Sequence, residues 1–229
     1  MNDKKKIETE LLGNDFCAIK KVEAHPLLPF LPGGAKLLML GSFPPPRKRW
    51  SMNFYYPNLQ NDMWRIFGEI YFADPAHFLT SNRKAFDQPR IEAFAHKLGL
   101  ALFDTASAVR RLQENASDKY LEVVTPTDVV ALLHQLPYCQ ALVVTGQKAM
   151  EVIRAQLLSA INSSGDLVLS SGVWPEPKIG DFVEFLLEGR RLRLYRMPSS
   201  SRAYPLALKK KAVYYKEMLH QLSLLSEEM

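Results

Sequence analysis

Cysteine is nearly absent: Cys17 and Cys139 are the only two in a chain of 229 residues. That count excludes a C-x-x-C pair, a four-cysteine zinc site and an iron–sulfur cluster. It also gives no basis for a disulfide framework and fits a reducing cytosol. Long apolar runs are missing too. Runs such as those at 37–40, 129–133 and 141–144 are far below the roughly 20 residues of a spanning helix. The basic start, Met1 to Lys6, leads into mixed acids and aliphatics rather than an apolar core, so no targeting segment is expected. The expectation is a soluble, cytoplasmic protein with no membrane partner. The five histidines, His25, His77, His96, His134 and His220, lack metal-ligand spacing, so no metal site is expected. Neither G-x-x-x-x-G-K-[ST] nor G-x-G-x-x-G occurs, which counts against an NTPase or a dinucleotide enzyme.

What is present is an ordinary globular composition, 47% hydrophobic and 23% charged. Lys and Arg number 29 against 24 Asp and Glu, a formal charge of +5. That excess permits a nucleic-acid or phosphate partner without requiring one. Residues 1–24 read as a polar lead-in with one short helix. A proline- and glycine-rich loop at 25–34 follows, and no linker divides the remainder, so 25–229 reads as a single domain. Apolar runs bounded by turn signals predict buried strands at 35–40, 100–103 and 141–145. A hairpin is expected from 182–187 and 192–196, turning at Gly189. Helices are expected at 62–72, 89–98, 125–136, 147–161 and 205–225. Pro89 and Gly99 punctuate the second, and the Thr125-Pro-Thr-Asp128 run opens the third. Strands alternating with helices predict an α/β fold, a three-layer α/β/α sandwich around a central, mostly parallel sheet of four to five strands.

In such a sheet, ligands bind beyond the carboxyl ends of the strands. Two strand ends carry unusual loops: Gly41-Ser-Phe-Pro-Pro-Pro46 leading into Arg47-Lys-Arg-Trp50, and Met197-Pro-Ser-Ser-Ser-Arg-Ala-Tyr204. Of the 12 Phe, 9 Tyr and 3 Trp, ten lie between Phe43 and Phe78. Trp64, Phe67 and Tyr71 recur at helical spacing and are expected in the core. Phe43, Tyr55 and Tyr56 lie in a loop beside Arg47, Lys48 and Arg49. Flat rings next to cations suit base stacking and phosphate binding. Asp104, at the end of a predicted strand, reads as a turn or cap acid, with a place facing the cleft as the alternative. Lys209, Lys210 and Lys211 read as a solvated helix face, with contact to backbone phosphate as the alternative.

Three segments in order, Leu38-Met-Leu-Gly-Ser-Phe-Pro-Pro45, Phe54-Tyr-Tyr-Pro-Asn-Leu-Gln-Asn-Asp-Met-Trp64 and Met197-Pro-Ser-Ser-Ser-Arg-Ala203, resemble the motif set of the uracil-DNA glycosylase superfamily. They are most similar to the hypoxanthine-DNA glycosylase branch, and more distantly to the mismatch-specific uracil glycosylases. The resemblance runs from about His25 to Leu219. It implies hydrolysis of the N-glycosidic bond of a deaminated base, uracil or hypoxanthine, in DNA. It places a catalytic, water-orienting asparagine at Asn61. Gly41, Ser42, Phe43 and Tyr56 then line the base pocket, with Tyr56 stacking on the extruded base. Arg47 and the loop Pro198, Ser199, Ser200, Ser201 and Arg202 contact DNA, and Ser201, Arg202 or Tyr204 fills the vacated stack. Read from its own neighbours alone, Asn61 suits a helix N-cap.

Three departures stand out. Phe43 occupies the position where many relatives carry a water-activating Asp or Asn. Asn58 and Leu59 replace a His and Pro found ahead of the asparagine, and Met197 stands where some relatives have a catalytic histidine. The reading is a monofunctional glycosylase of base-excision repair that needs no cofactor and acts as a monomer on damaged DNA. The alternative is a catalytically inactive nucleic-acid-binding member of the same fold. A third reading, a small-molecule hydrolase using Ser42 or Ser199, lacks a G-x-S-x-G elbow.

Overall fold

The protein is described by a computed structural model covering residues 21–113, 118–164, 167–169 and 176–225. In chain order it contains β1 (Val22–Ala24), β2 (Leu37–Gly41), α1 (Met63–Phe72), α2 (Gln88–Leu98), β3 (Leu100–Asp104), β4 (Ala106–Arg111), β5 (Leu121–Pro126), α3 (Val129–His134), β6 (Ala141–Thr145), α4 (Gln147–Ser164), β7 (Leu167–Leu169), β8 (Phe182–Leu187), β9 (Arg190–Met197) and α5 (Leu208–Gln221). The helix expected in the lead-in falls mostly on residues 1–20, outside the described part. Its end is a short strand instead.

The main sheet has the order β3-β2-β6-β9-β8-β7. The first four strands are mutually parallel, while β8 and β7 join antiparallel. Five of these are the expected strands, and the three-residue β7 adds a sixth. Every residue of β2, β3 and β6 is buried, as unbroken apolar runs require when both sheet faces are covered. The β8–β9 hairpin turns at Glu188 and Gly189, with φ of 50° and 78°. Two consecutive positive φ values give the primed turn that matches strand twist.

A second sheet, antiparallel with the order β1-β4-β5, was not expected. Its inner residues Ala106, Val109 and Leu121 form a small cluster with Phe43. It also corrects the helix expected at 125–136. Pro126 ends strand β5, and Asp128 rather than Thr125 caps α3, accepting from the Ala131 amide at 2.9 Å. The terminal helix is likewise shorter than expected, starting at Leu208 because Pro205 lies in the preceding turn. The second helix follows its punctuation closely. The Asp87 carboxylate accepts from the Arg90 amide, and Gly99 ends the helix at φ 73°. The Gly99 carbonyl then receives the Lys36 and Leu37 amides, tying α2 to the start of β2. Among the described residues, no helix is long and apolar enough to cross a membrane.

Candidate active site

The parallel register decides what meets at the cleft. Gly41 of β2 pairs with Asp104 of β3, Leu40 with Val144 of β6, and Thr145 of β6 with Met197 of β9. Four strands therefore end in one row, and the chain leaving each of them builds a cavity of about 890 Å³. Its walls include Gly41, Ser42, Phe43, Tyr56, Asn61, Ser199, Ser200, Ser201 and Arg202 from the sequence expectation. Arg47 and Pro198 do not line it. The Arg47 guanidinium lies 4.0 Å over the Trp50 ring and donates to Asn53 Oδ1 at 2.6 Å, leaving Arg49 as the cation of that turn on the cavity wall. Pro198 serves the scaffold through its carbonyl, which accepts from the buried Tyr215 hydroxyl at 3.0 Å.

The two distant motifs are zipped together by backbone. The Asp62 amide donates to the Ser200 carbonyl at 2.8 Å, the Arg202 amide to the Gln60 carbonyl at 3.1 Å, and Asn61 bridges Ser201 in antiparallel fashion. Asn61 is held further by its own side chain. Its Oδ1 accepts from the Met63 amide at 2.9 Å, while Asp62 takes the formal capping position of α1. The bland reading of Asn61 as a cap and the functional reading are thus compatible. An amide oxygen has two lone pairs, so one can fix the residue and the other can face the cavity.

Tyr56 adopts φ 52°, the left-handed region that a bulky residue enters only when its surroundings demand it. Those surroundings are specific. The Trp64 indole donates to the Tyr55 carbonyl at 2.9 Å, Ser51 donates twice to the Pro57 carbonyl, and Trp50 donates to the Pro45 carbonyl. The aromatic loop is a rigid shelf. Burial, and secondarily the Asp104 charge, push the Tyr56 phenol far above its usual range, so it acts as a neutral ring and hydroxyl. Phe43 differs from expectation in emphasis. It is only 9% exposed, with Arg111 5.8 Å over its ring and His25 edge-on at 5.3 Å. It lines the cavity as a ring packed between these two groups.

Sequence reasoning assigned no chemistry to three groups that the fold brings here. Asp104 lines the cavity rather than capping a helix, and its Oδ2 meets His25 Nε2 at 2.9 Å, with both side chains more than nine-tenths buried. The other His25 nitrogen lies 2.8 Å from the Leu27 carbonyl and 3.2 Å from its amide. Asp118 also lines the cavity and accepts from the Ser42 hydroxyl at 2.7 Å. Burial holds its carboxyl above the usual range, and Asp104 pushes the same way against the opposing Ser42 hydrogen bond, Lys148 and Arg111. A signal for Asp104 was available, since it closes a fully apolar strand at the carboxyl edge of the sheet. No spacing rule links it to a histidine 79 positions away.

Chemically, the cavity offers two carboxylates, a fixed amide, an aromatic shelf and a rim with Arg49 and Arg202. Ser42 is bonded to a carboxylate, and among the described residues neither Ser42 nor Ser199 is hydrogen-bonded to a histidine, which removes support from the serine-hydrolase reading. Among the described residues, no group of three His, Cys, Asp or Glu could hold a metal ion.

No protein-family model matches the chain, and no curated protein matches it. Among solved structures, it is similar to the solution NMR structure of a "putative Uracil DNA glycosylase" from Methanosarcina acetivorans. The identity is 18% and the TM-score 0.54, over 89% of this chain and 99% of that one. At that identity the likeness establishes architecture: this α/β chain shares its fold with the Methanosarcina protein.

Proposed function

We propose that the protein is a DNA glycosylase that hydrolyses the N-glycosidic bond of a deaminated base, uracil or hypoxanthine, in base-excision repair. The observation that carries this reading is the backbone zipper that joins Asn61 to Ser201 on the wall of a cleft floored by Asp104 and Thr145. The fold shared with the Methanosarcina protein supports it. In the same proposal, 25–229 is one three-layer α/β/α domain acting as a monomer in the cytoplasm.

Cleavage of the bond builds positive charge on the deoxyribose and negative charge on the departing base. The extruded nucleotide enters the cleft, where Tyr56 stacks on the base. Asn61 orients the attacking water, whose oxygen bonds to C1′ as the C1′–N bond breaks. Asp104, locked by His25, faces the developing sugar cation and takes the proton that the water sheds. Asp118, the carboxyl that burial keeps most ready to carry a proton, supplies one to the leaving base. This arrangement compensates for Phe43, which has no carboxylate to offer. Arg49, Arg202 and the serine-rich loop grip backbone phosphates. Hydrolysis of this kind requires only water, so no cofactor is invoked.

The test is excision from duplexes carrying uracil or hypoxanthine, read as alkali-labile strand breaks. Wild type should release at least one base, and Asn61→Ala and Asp104→Asn should each lower the single-turnover rate about 100-fold or more. Undiminished activity in Asn61→Ala would remove that residue from the mechanism. Salt-sensitive DNA retention without release of either base would favour the inactive binding protein.

A further inference from the structure

The amino edge of the parallel strands takes no part in the cleft. β2 and β6 are each five residues long, so about 16 Å of strand separates the two edges. At the amino edge Lys36, Gln140 and Arg193 stand side by side. The Gln140 amide donates to the Lys36 carbonyl at 2.7 Å, and the Arg193 amide to the Gln140 carbonyl at 3.1 Å. These bonds set the row at the strand spacing of about 4.8 Å. Arg191 of the β8–β9 hairpin, with Gln221, Leu222 and Ser223 at the end of α5, completes the lining of a hollow of about 400 Å³.

That lining is rich in donors, and its backbone acceptors are spent. The Lys36 and Gln140 carbonyls are used within the row, and the Gln221 carbonyl accepts from Arg193 Nη1 at 3.4 Å. The last carbonyls of α5, on Met218, Leu219 and His220, accept from the Leu222, Leu224 and Ser223 amides. The Gln221 carboxamide is committed at both ends, to Tyr195 and to Glu217. By contrast, the Lys36 ammonium, the Gln140 carboxamide and the Ser223 hydroxyl have no hydrogen-bond partner among the described residues.

Charge points the same way. Arg193 is held in place, with Nε donating to Glu184 at 3.1 Å and its guanidinium 4.7 Å over the Phe182 ring, and Arg191 reaches the same carboxylate at 3.4 Å. Lys36, Arg191 and Arg193 against Glu184 alone leave two positive charges, and no acid stands among the lining residues. A carboxylate brings one charge and two oxygens to such a place. A phosphate group brings nearly two charges and at least three acceptor oxygens, and arginine forks suit it. No aromatic ring lines the hollow, so it has no platform on which the bases of a single strand would stack.

The geometry points to a second binding site at the amino edge of the sheet, which takes the phosphate group of a small phosphorylated molecule. Arg193 supplies the fixed guanidinium, Lys36 and Arg191 close on the anion from the rim, and Gln140 and Ser223 donate to its remaining oxygens. DNA gripped by Arg49 and the serine-rich loop lies beyond the opposite edge, so the two sites fill independently.

The experiment titrates the full-length, nitrogen-15-labelled protein with inorganic phosphate and with pyrophosphate, using sodium chloride of equal ionic strength as the reference. In wild type the Gln140 and Ser223 amide signals should move saturably with both phosphates and stay in place with chloride. The double variant Lys36→Gln/Arg191→Gln changes two exposed side chains and should keep the wild-type thermal midpoint in the absence of phosphate. Its phosphate and pyrophosphate affinities should fall about tenfold or more, while its retention of duplex DNA matches wild type. Signals that follow chloride equally, that move only at cleft residues such as Ser42 and Ser201, or that titrate identically in the double variant overturn the site. Displacement of phosphate from Gln140 and Ser223 by DNA, together with weaker DNA retention in the double variant, overturns the small-molecule occupant and assigns the hollow to a nucleic-acid backbone.

Discussion

Asp118 shows how one side chain can record its surroundings. Its carboxyl is buried beside Asp104, and the Ser42 hydroxyl only partly offsets that burden. Its proton is therefore held more tightly in the folded than in the unfolded protein. As pH rises above the ordinary carboxylate value, the unfolded chain releases this proton first and binds fewer protons than the native state. Stability contributed by Asp118 consequently falls through the interval between its unfolded and folded pKa values, then levels off above the folded one. Asp118→Asn lacks this titration. Its thermal midpoint relative to wild type should rise as pH increases from acid through that window. Calorimetry at a series of pH values checks this, and a midpoint difference that stays constant with pH would show that Asp118 titrates normally. If Asp118 also delivers a proton during base release, the alkaline limb of the wild-type rate profile should lie above the ordinary carboxylate range.

Helix α1 carries the zipper that sets Asn61, and its packing makes one substitution run against helix propensity. Replacing a mid-helix glycine with alanine ordinarily adds about 1 kcal/mol. In Gly68→Ala, however, the new Cβ would sit 2.5 Å from the Asp74 carbonyl oxygen and 3.4 Å from Pro75 Cα, both backbone. That turn is already committed, since Ala73 has φ 50° and the Asp74 amide donates to the Gly68 carbonyl. Gly68→Ala should therefore destabilise the protein by about 1–3 kcal/mol, as overpacking does, and chemical denaturation reads the sign directly. Legibility followed the same logic. β2, β3, β6 and the β8–β9 hairpin were readable because burial on both faces, or a glycine turn, leaves a local mark. The antiparallel β1–β4–β5 sheet was not, because strands such as Ala106–Arg111, buried at only two positions, carry no sustained alternation. The proline–aspartate signal at 125–128 was real but ambiguous: it ends a strand as readily as it starts a helix. Asn61, Tyr56 and the serine loop were legible through motif order. The pairing of His25 with Asp104 was not, because it depends on the antiparallel β1–β4 pairing and the Phe30–Leu102 bridge, which leave no local mark.

The two halves of the chain are joined at the cleft by a buried charge cluster. Lys211 of α5 is fully buried, contrary to the solvated face expected for 209–211. Periodicity could have revealed it, since Ala212, Tyr215, Met218 and Leu219 are buried on the same helix. Its Nζ donates to Asp62 Oδ2 at 3.1 Å and to the Ser201 carbonyl, while Arg202 takes Asp62 Oδ1. One carboxylate thus binds α1, α5 and the loop after β9, across 149 and 140 residues of sequence. Removing one member of such a cluster is costly because the remaining charge stays buried with too few partners. Asp62→Asn should lower unfolding stability by about 3 kcal/mol, since it leaves the buried Lys211 ammonium with the Ser201 carbonyl but no carboxylate, and Lys211→Met by less, since Arg202 still pairs with Asp62. The double variant leaves no uncompensated charge between these two positions. Its cost should fall short of the sum of the singles by at least about 1 kcal/mol. Excision carries a second signature: because Asp62 sits between Asn61 and the loop it fixes, both single variants should slow excision more than their stability at the assay temperature explains. Additive stabilities, together with excision rates that follow the folded fraction alone, would mean that α5 merely packs against the cleft and does not set its register.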